Sequence, residues 1–157
     1  MSRTIVISTR LGAEPDRVWE EVNSPRLLLF VAAPMIRFRP VDPPVFAERW
    51  ADGPHEVEMY LFGRIPLGLQ VIDISRPAAA GGKWRLRDNG RSASIPRWDH
   101  LIEVAAGRDG TIYSDTVTIE AGWRTPLVAA FAKRFYAHRQ RRWRALVAAD
   151  FDYGAVG

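Results

Sequence analysis

From residue 46 to 121 the chain alternates apolar and polar side chains in one short run after another, and from residue 125 to 149 it switches to a three- and four-residue period. This change of period constrains the fold most strongly, because period two builds strands and period 3.6 builds a helix. The alternating runs are FAERWA (46–51), HEVEMYLFG (55–63), LGLQVIDIS (67–75), KWRLRD (83–88), RWDHLIEVAA (97–106) and TIYSDTVTIEA (111–121). The connections DGP, RIP, AAAGG, NGRSASIP and GRDG are too short for crossover helices, so these strands are expected to meander antiparallel. IRFRP, just before Pro43 and Pro44, reads as an extra edge piece.

Upstream, residues 3–10 set Ile5 and Ile7 against Thr4, Val6 and Ser8 and read as a first strand. AEPDRVWEEV and SPRLLLFVAA then read as two short helices, each with a proline near its start. Asn23 or Ser24 is the cap between them, and Pro34 ends the second. The last segment reads as one long helix that Thr125 can cap and Pro126 can begin. Its stripe runs through Leu127, Phe131, Phe135, His138, Arg142 and Leu146, widened by Val128, Trp143 and Val147. A sheet with one apolar face must bury it, and this helix is the only element large enough to cover it. Residues 1–157 therefore read as one domain, with FDYGAVG as a loose tail.

Composition narrows the function. The chain has no cysteine, which excludes disulfides and thiolate chemistry, and no apolar run of about 18 residues, so stable membrane insertion is not expected. With no export signal apparent at the N-terminus, the expectation is a cytoplasmic protein. Of 22 basic residues all but Lys83 and Lys133 are arginine, and Arg124, Lys133, Arg134, Arg139, Arg141, Arg142 and Arg144 crowd the last helix without an acid among them. Such a run suits nucleic acid or an anionic membrane, or equally a solvated helix face. No stacking platform accompanies it, so no nucleic-acid partner is expected. His55, His100 and His138 lack metal-ligand spacing, GGK at 81–83 lacks the length of a phosphate loop, and Glu56 and Glu58 share an exposed strand face. No metal and no cofactor are expected.

The element order, together with EPDRVWEEVNSP, MYLFGRIPLGLQVID, DHLIEV and TIYSDTVTIEAGWRTPLVAAFAKRFYAHRQRRWRAL, resembles the START/SRPBCC superfamily and its helix-grip fold. Within it, the chain is most similar to the polyketide cyclase/dehydrase and lipid-transport branch and its coenzyme Q-binding relatives. The resemblance implies an α+β fold in which a seven-stranded antiparallel sheet wraps around the long C-terminal helix, with two short helices between strands 1 and 2. It also implies a cavity between sheet and helix for an apolar guest such as a lipid, quinone or polyketide-like compound.

Alternation assigns candidate side chains to that cavity. The last hairpin is expected to pair Val104 with Tyr113, Ile102 with Asp115 and His100 with Val117, all on one face, with His100 diagonal to Asp115. His100, Asp115 and Tyr113 are the catalytic candidates, with His100 as general base. Hydrogen bonding to a guest and mutual satisfaction in the core are the other readings. Trp50, Tyr60, Phe62, Trp84, Trp98, Phe131 and Phe135 complete the candidate ligand-binding set, since aromatic rings suit a planar or isoprenoid guest. Three functions stay open: an apolar-ligand binder, a cyclase or dehydratase, and an interaction protein using its arginine-rich helix. Monomer and homodimer are both compatible with the sequence.

Overall fold

Seven strands form a single antiparallel sheet in the order β1-β7-β6-β5-β4-β3-β2. The computed structural model describes residues 1–156. Strand β1 (Arg3–Leu11) leads into α1 (Pro15–Val22) and α2 (Pro25–Ala32). The meander β2 (Ile36–Asp42), β3 (Gly53–Leu61), β4 (Ile65–Ser75), β5 (Lys83–Ser92), β6 (Arg97–Gly107) and β7 (Gly110–Glu120) follows, and a 3-10 turn (Gly122–Arg124) precedes α3 (Thr125–Ala148). This is the α+β arrangement expected from the sequence, because consecutive hairpins and one long amphipathic helix leave few other ways to bury an apolar sheet face.

One strand was misplaced by periodicity alone. Residues 46–51 form a loop, and IRFRPVD supplies the seventh strand as the sheet edge β2. There Pro40, which has no N–H to give a ladder, is tolerated. The FAERWA segment is drawn off the sheet by tertiary contacts: the Trp50 amide donates to the Asn23 carbonyl at 2.8 Å, and Phe46 packs edge-on against Trp50. Arg76 pins the same loop, donating from Nε to Asn23 Oδ1 at 2.9 Å and from Nη2 to the Trp50 carbonyl at 2.7 Å.

Ser24 is the N-cap of α2, accepting the Arg26 amide at 3.2 Å. Thr125 lies one step inside α3 and ties down the preceding turn, donating to the Gly122 carbonyl at 2.7 Å and accepting the Ala121 amide at 2.9 Å. The C-terminal segment, expected as a loose tail, is docked. Phe30 meets the Tyr153 ring edge-on at 5.2 Å, Arg26 lies 4.0 Å above that ring, and Arg17 covers Phe151 at 4.2 Å. Gly157 lies outside the described residues.

The buried stripe of α3 is shifted from the expected one. It runs through Ala132, Phe135, Tyr136, Arg139, Gln140, Trp143 and Leu146, while Leu127 is 74% exposed. The helix lies close to β1, β7 and α2 and stands off from β3, β4 and β5. A curved sheet covered by one straight helix can touch it along one side only, and the space on the other side becomes the cavity described next.

Candidate functional site

Between α3 and the concave face of β3–β6 lies a cavity of about 750 Å³, within the range of small-molecule sites. Its walls are built by alternation: Met59 and Leu61 on β3, Ile72 and Ile74 on β4, Leu86 on β5, and Trp98, His100 and Ile102 on β6 point inward. Leu67 and Leu127, 42% and 74% exposed, mark the mouth, with Arg134 beside them.

The far end of the cavity is polar. The hairpin pairing is the expected one, with Ile102 opposite Asp115 and His100 opposite Val117. Across it His100 Nε2 lies 2.7 Å from Asp115 Oδ1. The same oxygen accepts the Tyr113 hydroxyl at 3.0 Å, and Asp115 Oδ2 accepts Gln140 Nε2 at 2.9 Å. Burial works against the Asp115 charge, but the hydrogen bonds from His100 and Gln140 and the positive Arg139 outweigh it and hold the carboxyl below its usual range. Burial lowers His100, so the imidazole is neutral near pH 7. An ionised acceptor fixes the proton on Nε2, which leaves the Nδ1 lone pair as the ring atom available to a guest.

Three polar residues of this end escaped the sequence reading: Gln140, which donates to Asp115, and Asp88 and Arg139. Asp88 sits directly opposite His100 on β5, and its Oδ1 accepts the Asp73 amide at 2.8 Å. Burial, only partly offset by that amide and by Arg139, raises its carboxyl to about 7. Arg139, 5% exposed, comes down from α3 with its guanidinium carbon 4.9 Å from the Tyr136 ring centre. Trp98 Nε1 donates to the Tyr136 hydroxyl at 3.0 Å. Signals for Asp88 were present: Trp84, Leu86 and Asp88 share one strand parity. Arg139 hid in what looked like a solvated basic face.

The cavity gathers Trp50, Trp98, His100, Phe131 and Phe135 from the expected set. Tyr113 and Asp115 stand behind His100, in the wall instead of on the cavity surface. Three aromatics are elsewhere. Tyr60 and Phe62 share the parity of Glu56 and Glu58, on the opposite face from Val57 and Met59. Tyr60 donates to Glu58 at 2.6 Å, and Phe62 is 60% exposed in the β3–β4 turn. Trp84 does face inward, but at the end of the sheet where α1 covers it, 5.8 Å from Trp19.

The basic run of α3 divides. Arg139 is buried, Arg142 lies 4.1 Å over the Phe30 ring, and Arg124 donates to the Ser94 carbonyl at 2.5 Å. Lys133, Arg134, Arg141 and Arg144 remain exposed. Among the described residues, no group of three or more His, Asp or Glu is arranged to hold a metal, and no helix is long and apolar enough to cross a membrane.

Solved structures share this architecture. Protein CV1439 from Chromobacterium violaceum is 18% identical, with a TM-score of 0.62 over 92% of this chain and 96% of its own. A START superfamily protein from Mycobacterium smegmatis is 11% identical, with a TM-score of 0.59 over 93% and 97% of the two chains. Ara h 8.0201 is 11% identical, with a TM-score of 0.63 over 95% and 99%. At such identities the likeness is one of fold, and that fold is the START/SRPBCC helix grip. A search of curated protein sequences finds no match to this chain. At the level of sequence families, the match runs over residues 9–147, and the chain belongs to the family described as a domain of unknown function, DUF8410.

Proposed function

We propose that the protein binds an apolar small molecule, of lipid, quinone or polyketide-like chemistry, in the cavity between the sheet and α3. The observation that carries this reading is the cavity itself: about 750 Å³, walled by aliphatic and aromatic side chains, open at an apolar mouth and ending in a few convergent polar groups. A space of that kind, left unfilled by the chain's own side chains, forfeits packing contacts that a guest restores. Mass spectrometry of organic extracts from the purified protein is the direct test, followed by titration with a fluorescent fatty acid and a short-chain quinone. A stoichiometric apolar guest, or micromolar uptake of either probe, supports the reading. An empty extract together with no uptake of either rules it out.

The buried His100–Asp115 pair favours a second reading, in which the guest is a substrate. A neutral imidazole held by an ionised aspartate, with Nδ1 available to the cavity, is arranged to take a proton from an acidic C–H, as a cyclase or dehydratase requires. Replacing His100 with Phe separates the two: retained binding with abolished turnover of a bound polyketide-like substrate supports the enzyme. Unchanged turnover removes His100 from any mechanism.

A further inference from the structure

A buried guanidinium is costly unless carboxylates or hydrogen-bond acceptors surround it. Arg139 is 5% exposed, its Nε has no hydrogen-bond partner among the described residues, and no carboxylate among them forms an ion pair with it. Asp115 acts on it only through its charge: its oxygens accept His100, Tyr113 and Gln140, and no ion pair joins it to Arg139. Asp88 Oδ1 is engaged by the Asp73 amide. Arg139, His100 and Asp88 all border the same cavity, at the end away from the apolar, exposed Leu67 and Leu127. Nε of Arg139 is therefore a buried donor without an acceptor, at the end of the cavity where a guest would finish.

We propose that Arg139 receives the carboxylate of an amphipathic guest that enters acid end first, with Asp88 and His100 beside it; this rests on the cavity being a ligand site. Guanidinium and carboxylate match in charge and in planar fork geometry, so the pairing is stronger than one to a neutral oxygen. Binding of the acid is coupled to a proton on Asp88, because burial already disfavours the Asp88 charge and a second carboxylate arriving beside it disfavours it further. The guest's charge replaces that of Asp88, and the protonated Asp88 donates to the guest.

The groups around Asp88 fix the pH range. From β4 come Gln70 and the Asp73 amide, with the Asp73 carboxylate paired to Arg91. From β6 come the neutral His100, and Asp99 paired to Arg87; from α3 come Arg139 and Tyr136. Burial among these groups raises the Asp88 carboxyl to about 7. Acid binding is thus strongest below pH 7, while the guest itself is still ionised, and weakens by up to tenfold per pH unit above it.

The test compares pyrene-labelled dodecanoic acid with the matched dodecanol, by energy transfer from tryptophan at pH 6 and pH 8.5. The acid is expected to bind about 10- to 100-fold more tightly than the alcohol at pH 6, and to lose most of that advantage at pH 8.5. Arg139→Gln should erase the preference while leaving alcohol binding, Asp88→Asn should erase the pH dependence, and Arg141→Gln, exposed on α3 away from the cavity, should change neither. Equal binding of acid and alcohol by the unmodified protein overturns the proposal. So does a preference that survives Arg139→Gln or disappears in Arg141→Gln. If Arg139→Gln does not fold, as read by circular dichroism, the acid-to-alcohol ratio and the Asp88→Asn pH profile decide. Failure of both probes at both pH values overturns the ligand-site reading as well, whereas alcohol binding without acid preference overturns this proposal alone.

Discussion

His100 and Asp115 sit on adjacent strands of the last hairpin, diagonal to one another, and close to a hydrogen bond of 2.7 Å inside the sheet–helix core. Asp115 is the hub of that contact, since Tyr113 and Gln140 donate to it as well. An amide there keeps the shape but loses the charge that three donors converge on, and its own N–H₂ would face one of them. Asp115→Asn should cost about 3 kcal/mol of unfolding free energy, read by urea denaturation at pH 7. A loss below about 1 kcal/mol would mean that the network is not formed as described.

Asp88 gives stability a pH dependence of opposite sign. Its folded-state carboxyl is raised to about 7 from an ordinary 3.8, so between those values the folded protein holds a proton that the unfolded chain has released. That contribution is complete below pH 4 and is lost as pH rises through about 7, at up to about 1.4 kcal/mol per pH unit. His100 works the other way: its lowered pKa means that the unfolded chain binds the proton first, so stability falls as pH drops below 6.5. Asp88→Asn preserves the oxygen that accepts the Asp73 amide and removes the ionisation. The advantage of the variant over the unmodified protein should grow from about pH 4 to about pH 7 and then level off, so it is larger in urea melts at pH 8.5 than at pH 5. Equal stability at both values would show that Asp88 titrates normally.

The fold was legible because its signals are additive over many residues: five of the six runs expected between residues 46 and 121 are strands, and the hairpin register followed from the turn at Arg108 and Asp109. FAERWA failed because alternation is a local property, whereas its backbone is claimed by Asn23 and Arg76 from distant elements. At the site, a polar residue interrupting a strand's apolar face was legible, and inward-facing polar residues of the helix were not. His100 was conspicuous as a polar residue on an apolar face. Arg139 and Gln140 were invisible because inward-facing polar residues of α3 look, in sequence, like its outer face. Asp88 closed a strand that had been read only to its sixth residue. Local rules fail most often where a cavity needs polar groups.

Met59 lines the cavity from β3 without belonging to the fully buried core. Its replacement by Trp extends a ring into open volume instead of packed atoms, so the usual overpacking penalty is small. Stability should change by less than about 1.5 kcal/mol in urea. Uptake of the fluorescent fatty acid should fall at least about tenfold, the equivalent of roughly 1.4 kcal/mol of lost contact. Full uptake by a folded Met59→Trp protein would place the guest outside this cavity.

The docked C-terminus makes the last prediction. Tyr153 packs edge-on to Phe30, is covered by Arg26, and donates its hydroxyl to Glu21, so it clamps α1 and α2 to the end of α3. The helices α1 and α2 are only eight residues each, too short to persist on their own propensity, and depend on such tertiary contacts. Tyr153→Ala removes a half-buried ring and a hydrogen bond to a carboxylate, at a cost of about 2 kcal/mol. For a domain of this length that lowers the melting temperature by roughly 4–8 °C, measurable by calorimetry. Tyr153→Phe should recover most of it, because the ring supplies the packing and the hydroxyl sits partly in solvent. A Tyr153→Ala protein that melts with the unmodified one would return the tail to the loose segment that its sequence suggests.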